Sequence, residues 1–291
     1  RAKHEAREAL VAFGEPAIPT LVHFMNDPDE PIWVRRALPQ AIARIGTLSA
    51  SRALLQGLEQ GEDSFHRRSL VVSLASIEDS GALWSEASDQ IRRQISHEAS
   101  SYLDYIAALQ GLGLRDKGLL IGGTVRWDGE QVPTLLDQLL EERAADSLKN
   151  LFGLLSLLYG GEQMWPAYLS LISDKQMLRA RALEFLDNTL ASDIKRDVFA
   201  VIDDCPLGEK LARGADQFGT EVRPKPVTLD GFLTESGEPE SDDAALAAAA
   251  LYAAHQEQVP GLEDGIQRLA ESAVDPFVKE TAVWIKGRLG L

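Results

Sequence analysis

Two His-Glu pairs are the residues whose types and spacing come nearest to catalytic chemistry. His4-Glu5 stands near the start of the chain and His97-Glu98 about a third of the way along. Imidazole beside carboxylate is a sensible ligand set for iron at an open site. His23, His66 and His255 read as having no His, Cys or carboxylate partner at ligand spacing. No His-Glu-x-x-His helix and no Gly-x-Ser-x-Gly elbow occurs. Gly118 to Thr124 is glycine-rich, but no Gly-Lys-Ser/Thr follows, so it is not read as a phosphate loop. Glu141-Glu142 and Asp203-Asp204 carry no acid–base signal without a pocket to perturb them. The single cysteine, Cys205, leaves no internal disulfide and no cysteine zinc site, and is expected to be a buried, inert thiol. The expectation is a protein without catalytic residues, metal or cofactor.

The remaining chemistry is recognition. Arg35, Arg36, Arg67 and Arg68 recur at matching places. Arginines at helix starts can bond a nearby Asp or the carbonyls that end a preceding helix, forming a ladder between repeats. Asp29, Asp63 and Asp275 are natural partners or caps. The competing reading is a basic concave strip that receives an acidic peptide, phosphate groups or lipid heads. Arg126 and Trp127 add a contact hot spot in a loop, unless Trp127 merely pins that loop to the body. The candidate partner-binding surface is therefore Arg35, Arg36, Arg67, Arg68, Arg126 and Trp127.

These residues need a frame, and the composition allows one. The chain has 291 residues, 45% apolar and 25% charged, enough to bury a core. Its net charge of −16 repels phosphate backbones, so nucleic acid is not an expected partner. The longest apolar stretch, Leu151 to Tyr159, is too short to span a bilayer. The chain opens on Arg1 rather than Met, which points to a segment of a longer protein whose targeting signals lie elsewhere. A cytoplasmic location is expected, with any attachment to the inner face of a membrane made through regions outside the segment.

The frame repeats itself. Lys3, Arg35 and Arg67 recur every 32 residues (35 − 3 and 67 − 35), and Ala9, Ala41 and Ser73 fall into line behind them. Such a period is the signature of stacked helix pairs. Val34, Ala37, Leu38, Ala41, Ile42 and Ile45 form one apolar helical stripe, and Gly46 suits its C-terminus. Pro16 to Met25 forms the second helix of the first pair, and Asn26-Asp27-Pro28-Asp29 turns into the next. The expected fold is all-α: an α-solenoid of stacked antiparallel helix pairs with a long-helix insertion in the middle.

Regular repeats occupy 1–83. The insertion, 84–160, holds long helices at Trp84–Leu112 and Val132–Tyr159, the second bent at Gly153. They flank a loop, 113–131, in which Thr124-Val125-Arg126-Trp127 and Asp128-Gly129 suggest a hairpin. Repeats resume over 161–218, an irregular Pro-rich acidic loop covers 219–240, and the last repeats fill 241–291. The whole of 1–291 is expected to be one solenoid.

The phrase Val34-Arg35-x-Ala37-x-x-x-Ala41-Ile42-x-x-Ile45-Gly46 after Asp29 resembles the HEAT repeat, in the short form of phycobilisome-lyase-like proteins. Asp275 to Lys286 repeats it, Leu178 to Asp187 is a further copy, and Asp243 to Ala254 a degenerate one. The resemblance implies the fold and a protein-interaction or scaffold role. The alternative it leaves open is a HEAT-like enzyme, a metal-dependent hydroxylase or lyase-like protein acting on a bound protein or pigment. The deoxyhypusine hydroxylases place His-Glu pairs at repeat helix starts to hold two irons, but here Arg36-Ala37 and Arg68-Ser69 occupy the matching positions. Asp187-Asn188, Val222 to Val227 and Phe277 to Trp284 resemble the soluble HEAT region of large bacterial proteins, some of which carry a transporter-like membrane module. That likeness implies a cytoplasmic regulatory segment whose partner is the membrane module of the same polypeptide.

Overall fold

Apolar spacing and helix-end chemistry build the first repeats as expected, with one break. A computed structural model describes residues 8–60, 64–77, 81–113, 119–121, 123–126, 133–234 and 242–290. Residues 8–12 are helical, and Pro16 sits in a short 3-10 turn that leads into α1 (Ile18–Asn26). The run expected as one helix from Val34 to Ile45 is instead α2 (Ile32–Arg35), a turn at Arg36–Ala37, and α3 (Leu38–Ile45). Pro39 is the physical reason. It has no N–H to donate back to Arg35, and it is tolerated only in the first turn of a new helix. Leu38, Ala41 and Ile42 keep their place in the core, whereas Ala37 is exposed. Gly46 ends α3 at φ 71°, a left-handed conformation that costs glycine nothing.

The chain divides into two compact units. The first comprises residues 1–99 and 146–199, the second residues 100–145 and 200–291. In the first, α4 (Leu48–Gln60) and α5 (Ser64–Ala75) follow α3 and pack on it and on each other. A short helix, α6 (Gly81–Glu86), turns at Ala87 into the long α7 (Ser88–Leu112). The expected stripe of that helix, Ile91, Ile95, Tyr102, Leu103, Ile106 and Leu109, is buried throughout. The second long helix is α8 (Leu135–Tyr159), which supplies its later half to the first unit.

Gly153 in α8 serves close approach. A Cβ there would lie 2.5 Å from Val71 Cγ1 on α5, so a hydrogen in place of a side chain lets the two helices pack. The unit is completed by α9 (Gly161–Leu171), α10 (Gln176–Thr189) and most of α11 (Ser192–Ile202). Fully buried leucines such as Leu54, Leu58, Leu70 and Leu74 each contribute roughly 1.5–3 kcal/mol.

The second unit starts from the later part of α7 and the first part of α8. A reciprocal cap opens α8: the Asp137 amide donates to Thr134 Oγ1 at 3.2 Å, and the Thr134 amide donates to Asp137 Oδ2 at 2.8 Å. Between the long helices lies an antiparallel hairpin of β1 (Leu119–Ile121) and β2 (Thr124–Arg126), with Ile121 opposite Thr124. A strand at Thr124 was expected, but its partner lies upstream. Gly123 stands in the turn before β2, and Asp128-Gly129 lies outside the described residues. Tyr102 donates its hydroxyl to the Gly123 carbonyl at 2.8 Å, which ties the hairpin to α7.

Helices α12 (Leu207–Phe218), α13 (Lys225–Thr234), α14 (Asp242–Gln256), α15 (Glu263–Ser272) and α16 (Pro276–Leu289) complete this unit. The 219–240 stretch therefore contains a ten-residue helix. Pro226 stands in its first turn, and Thr228 donates its amide to the Pro224 carbonyl at 2.9 Å. Alanines along α14 bring it close to α13 and α16. The copies expected at Leu178–Asp187, Asp243–Ala254 and Asp275–Lys286 coincide with α10, α14 and α16. Asp275 caps α16 by accepting from the Val278 amide at 3.0 Å. Among the described residues no helix is long and apolar enough to cross a membrane.

Candidate functional site

In four places a cation near the start of a helix bonds main-chain carbonyls at or just after the end of the helix before it. Arg35 Nε donates to the Met25 carbonyl at 3.3 Å. Arg67, at the same register, donates from Nη1 to the Leu58 carbonyl at 2.8 Å. Arg179 follows Leu178 as Arg35 follows Val34, and its Nη1 donates to the Ser173 carbonyl at 2.9 Å. Lys210 does the same in the second unit, donating to the Val201 and Asp203 carbonyls. The last carbonyls of a helix have no partner within it, and a cation there both bonds them and meets the negative end of the helix dipole. Lys210 is fully buried, and that burial lowers its pKa to about 8.

The six residues expected as a partner-binding surface are thus placed differently from one another. Arg67 is buried and cannot line a strip: Nε and Nη2 also reach Glu98 Oε1 at 3.1 and 2.8 Å, and Nη2 reaches Gln94 Oε1 at 2.9 Å. Arg35 and Arg36 are half-buried. Arg68 pairs with Asp146 at 2.8 Å. Arg126 contributes its backbone to β2, and Trp127 lies outside the described residues. Of the expected caps, Asp275 acts as one. Asp29 sits in the turn, its amide bonded to Asp27 Oδ1, and Asp63 lies outside the described residues.

The His97-Glu98 pair also belongs to the Arg67 network. Burial pushes the Glu98 carboxyl upward, against the pull of Arg67, Asn150 and Ser147. His97 keeps part of its surface exposed, yet the packing around it, and then the Arg67 charge, hold its imidazole down at about 4. His4 and Glu5 lie outside the described residues. Among the described residues no three His, Cys, Asp or Glu side chains converge as a metal site. His23 does have a carboxylate near it, contrary to the sequence reading: Asp27 Oδ2 lies 4.0 Å from Nε2, one helical turn on, at an exposed position. Cys205 is half-buried, and burial pushes its thiol up.

What the repeats present outward was missed in the sequence. Two positions before the basic residue of this register stands a large apolar residue in three repeats: Trp33 before Val34-Arg35, Met177 before Leu178-Arg179, Phe277 before Val278-Lys279. These side chains are 56%, 68% and 69% exposed. Setting α16 on the second repeat (278 − 34 = 244 residues apart) also superposes Trp284 on Gln40, Arg288 on Arg44 and Gly290 on Gly46. The two glycines share the left-handed cap, at φ 72° and 71°. The signal was present as a register shared by three repeats, but an apolar residue in a repeat is read as core by default.

On α16 the outward residues form an organised group. Phe277, Thr281, Trp284 and Arg288 follow one another at spacings of four, three and four, one face of a helix. Trp284 meets His255 of α14 edge-on at 5.2 Å between ring centroids, and the Arg288 guanidinium lies 5.0 Å over the Trp284 ring. Elsewhere, an open groove of about 400 Å³ runs in the first unit between α4 and α6–α7. Leu55 and Leu83 line it, and Arg52 and Glu86 stand 3.7 Å apart across its rim.

Stacked helix pairs clamped end to end define an all-α helical-repeat protein of the α-solenoid class. The family model for HEAT repeats matches residues 1–75, which supports a HEAT-like repeat protein. No curated protein and no solved structure matches the chain. HEAT repeats generally mediate protein interaction or scaffolding.

Proposed function

We infer that this chain is a protein-interaction or scaffold module, and that its contacts are made by the outward apolar residues at the head of three of its repeats. The observation that carries this reading is the recurrence of an exposed large apolar residue at one register, in Trp33, Met177 and Phe277. Leaving such a side chain in water forgoes roughly 1.5–3 kcal/mol of burial each time, and aromatic residues on a surface are favoured contact anchors. The clamping arginines support the repeats instead of meeting the partner.

A photo-crosslinking residue at positions 33, 177 and 277 in the source cells tests this, with Arg196, an exposed polar position, as control. Discrete protein adducts at the three apolar positions are expected. Their absence, or equal adducts at position 196, overturns the reading. The likeness to HEAT regions of large bacterial proteins extends the proposal: the chain is a cytoplasmic regulatory segment, and its partner is a membrane module of the same polypeptide. Intact mass and fractionation of the native product decide that extension. A much larger membrane-bound product supports it, and a free product near 31.8 kDa overturns it.

A further inference from the structure

We propose that the outward face of α16 docks an acidic segment of a partner protein, which places a carboxylate on Arg288 and an apolar side chain against Trp284 and Phe277. This rests on the interaction-module reading and names the partner's chemistry at one of its surfaces.

The chain's own second repeat supplies the template. Trp33, Ala37, Gln40 and Arg44 occupy the positions equivalent to Phe277, Thr281, Trp284 and Arg288. All four are exposed although that repeat is followed by another, so the corresponding face of α16 is an outer face by register. The equivalents of Val283 and Lys286, which are Pro39 and Ile42, are buried there, so the face that meets a following helix is a different one.

Charge then says what belongs on the face. Arg44 is bonded by the carboxylate of Glu8, carried on the helical stretch 8–12 of the preceding repeat. Arg288 holds the same position, and among the described residues no carboxylate pairs with it, although the chain carries 45 acidic against 29 basic residues. Its guanidinium is instead laid over Trp284, and Trp284 is itself braced by His255. A guanidinium in cation–π contact with an indole spends none of its N–H donors on that contact, and an arginine fork can hold a carboxylate through two of them. Trp284 and Phe277, 48% and 69% exposed, supply the apolar contact beside it.

Fluorescence anisotropy on the full chain tests the assignment. The probe is a labelled helical peptide with Leu and Glu on one face; its twin carries Lys for Glu. The Glu peptide is expected to bind and the Lys peptide to bind at least about tenfold more weakly. Arg288→Glu is expected to reverse that order, a gain for the Lys peptide that misfolding cannot mimic. Equal binding of both peptides, binding of neither, or an Arg288→Glu chain that keeps the original order overturns the proposal. So does binding only to phosphatidylserine vesicles, or self-association that Arg288→Glu abolishes. Crosslinks at positions 33 and 177 that persist through such a failure leave the interaction module standing.

Discussion

Arg67 and Glu98, 31 residues apart in sequence, meet in the interior of the first unit with Nη2 2.8 Å from Oε1 and both side chains almost wholly buried. A buried ion pair is held against its desolvation cost by additional bonds, here from Gln94, the Leu58 carbonyl and Asn150. Removing one partner leaves the other charged in a dry place. Arg67→Ala is therefore expected to cost about 3–5 kcal/mol, and Arg67→Met with Glu98→Leu to recover much of it. Urea unfolding of the single and double variants measures both. A double variant no more stable than Arg67→Ala contradicts the account.

Lys210 makes stability depend on alkaline pH in a particular direction. Burial lowers its pKa from 10.5 to about 8, with Cys205, Asp203 and Asp204 opposing the shift and Arg213 adding to it. Between those values the unfolded chain holds a proton that the folded chain has released. Stability from this group therefore rises as pH climbs from about 8 to 10.5 and levels off above. Relative to Lys210→Met, the native chain should gain up to roughly 3 kcal/mol across the window. A difference between the two that stays flat with pH speaks against it.

Gly153 is expected to tolerate no side chain while Val71 is present. A methyl group placed 2.5 Å from Val71 Cγ1 overpacks the contact, and Gly153→Ala should lose about 1–3 kcal/mol. Val71→Ala in the same chain should return part of that loss. Thermal unfolding of the pair in a double-mutant cycle reads the coupling, and simple additivity of the two losses refutes it.

Asp275 caps the start of α16 by accepting from the Val278 amide. Asp275→Ala should cost about 1 kcal/mol, and Asp275→Asn, which keeps the acceptor, a few tenths. Denaturant midpoints separate the two, and equal losses would assign the effect to charge.

Helix ends and apolar periods were legible in the sequence because they are local. Gly46, Asp275 and the long stripe from Ile91 to Leu109 depend on neighbours a few residues away. Pro39 shows where periodicity misleads: the apolar spacing runs through it unchanged, but the missing N–H divides the helix. Pro226 misled the other way, read as a breaker although it sits where a helix accepts it. The fate of Arg67 was half visible. Its bond to the preceding helix follows the repeat, but Glu98 reaches it from a long helix outside the period. The outward register was hidden because a single sequence shows that Trp33 is apolar without showing that its repeat leaves it in water.

The helix-end clasp asks little of the helix it closes. Arg35, Arg67, Arg179 and Lys210 each bring the donor, and the end of the preceding helix, or for Arg179 the turn just after it, supplies a main-chain oxygen that any residue possesses. The joint is therefore indifferent to the side chains on its receiving side. A repeat can be copied, exchanged or lengthened with its fastening intact, so a chain built this way is free to diversify its outer surface one repeat at a time.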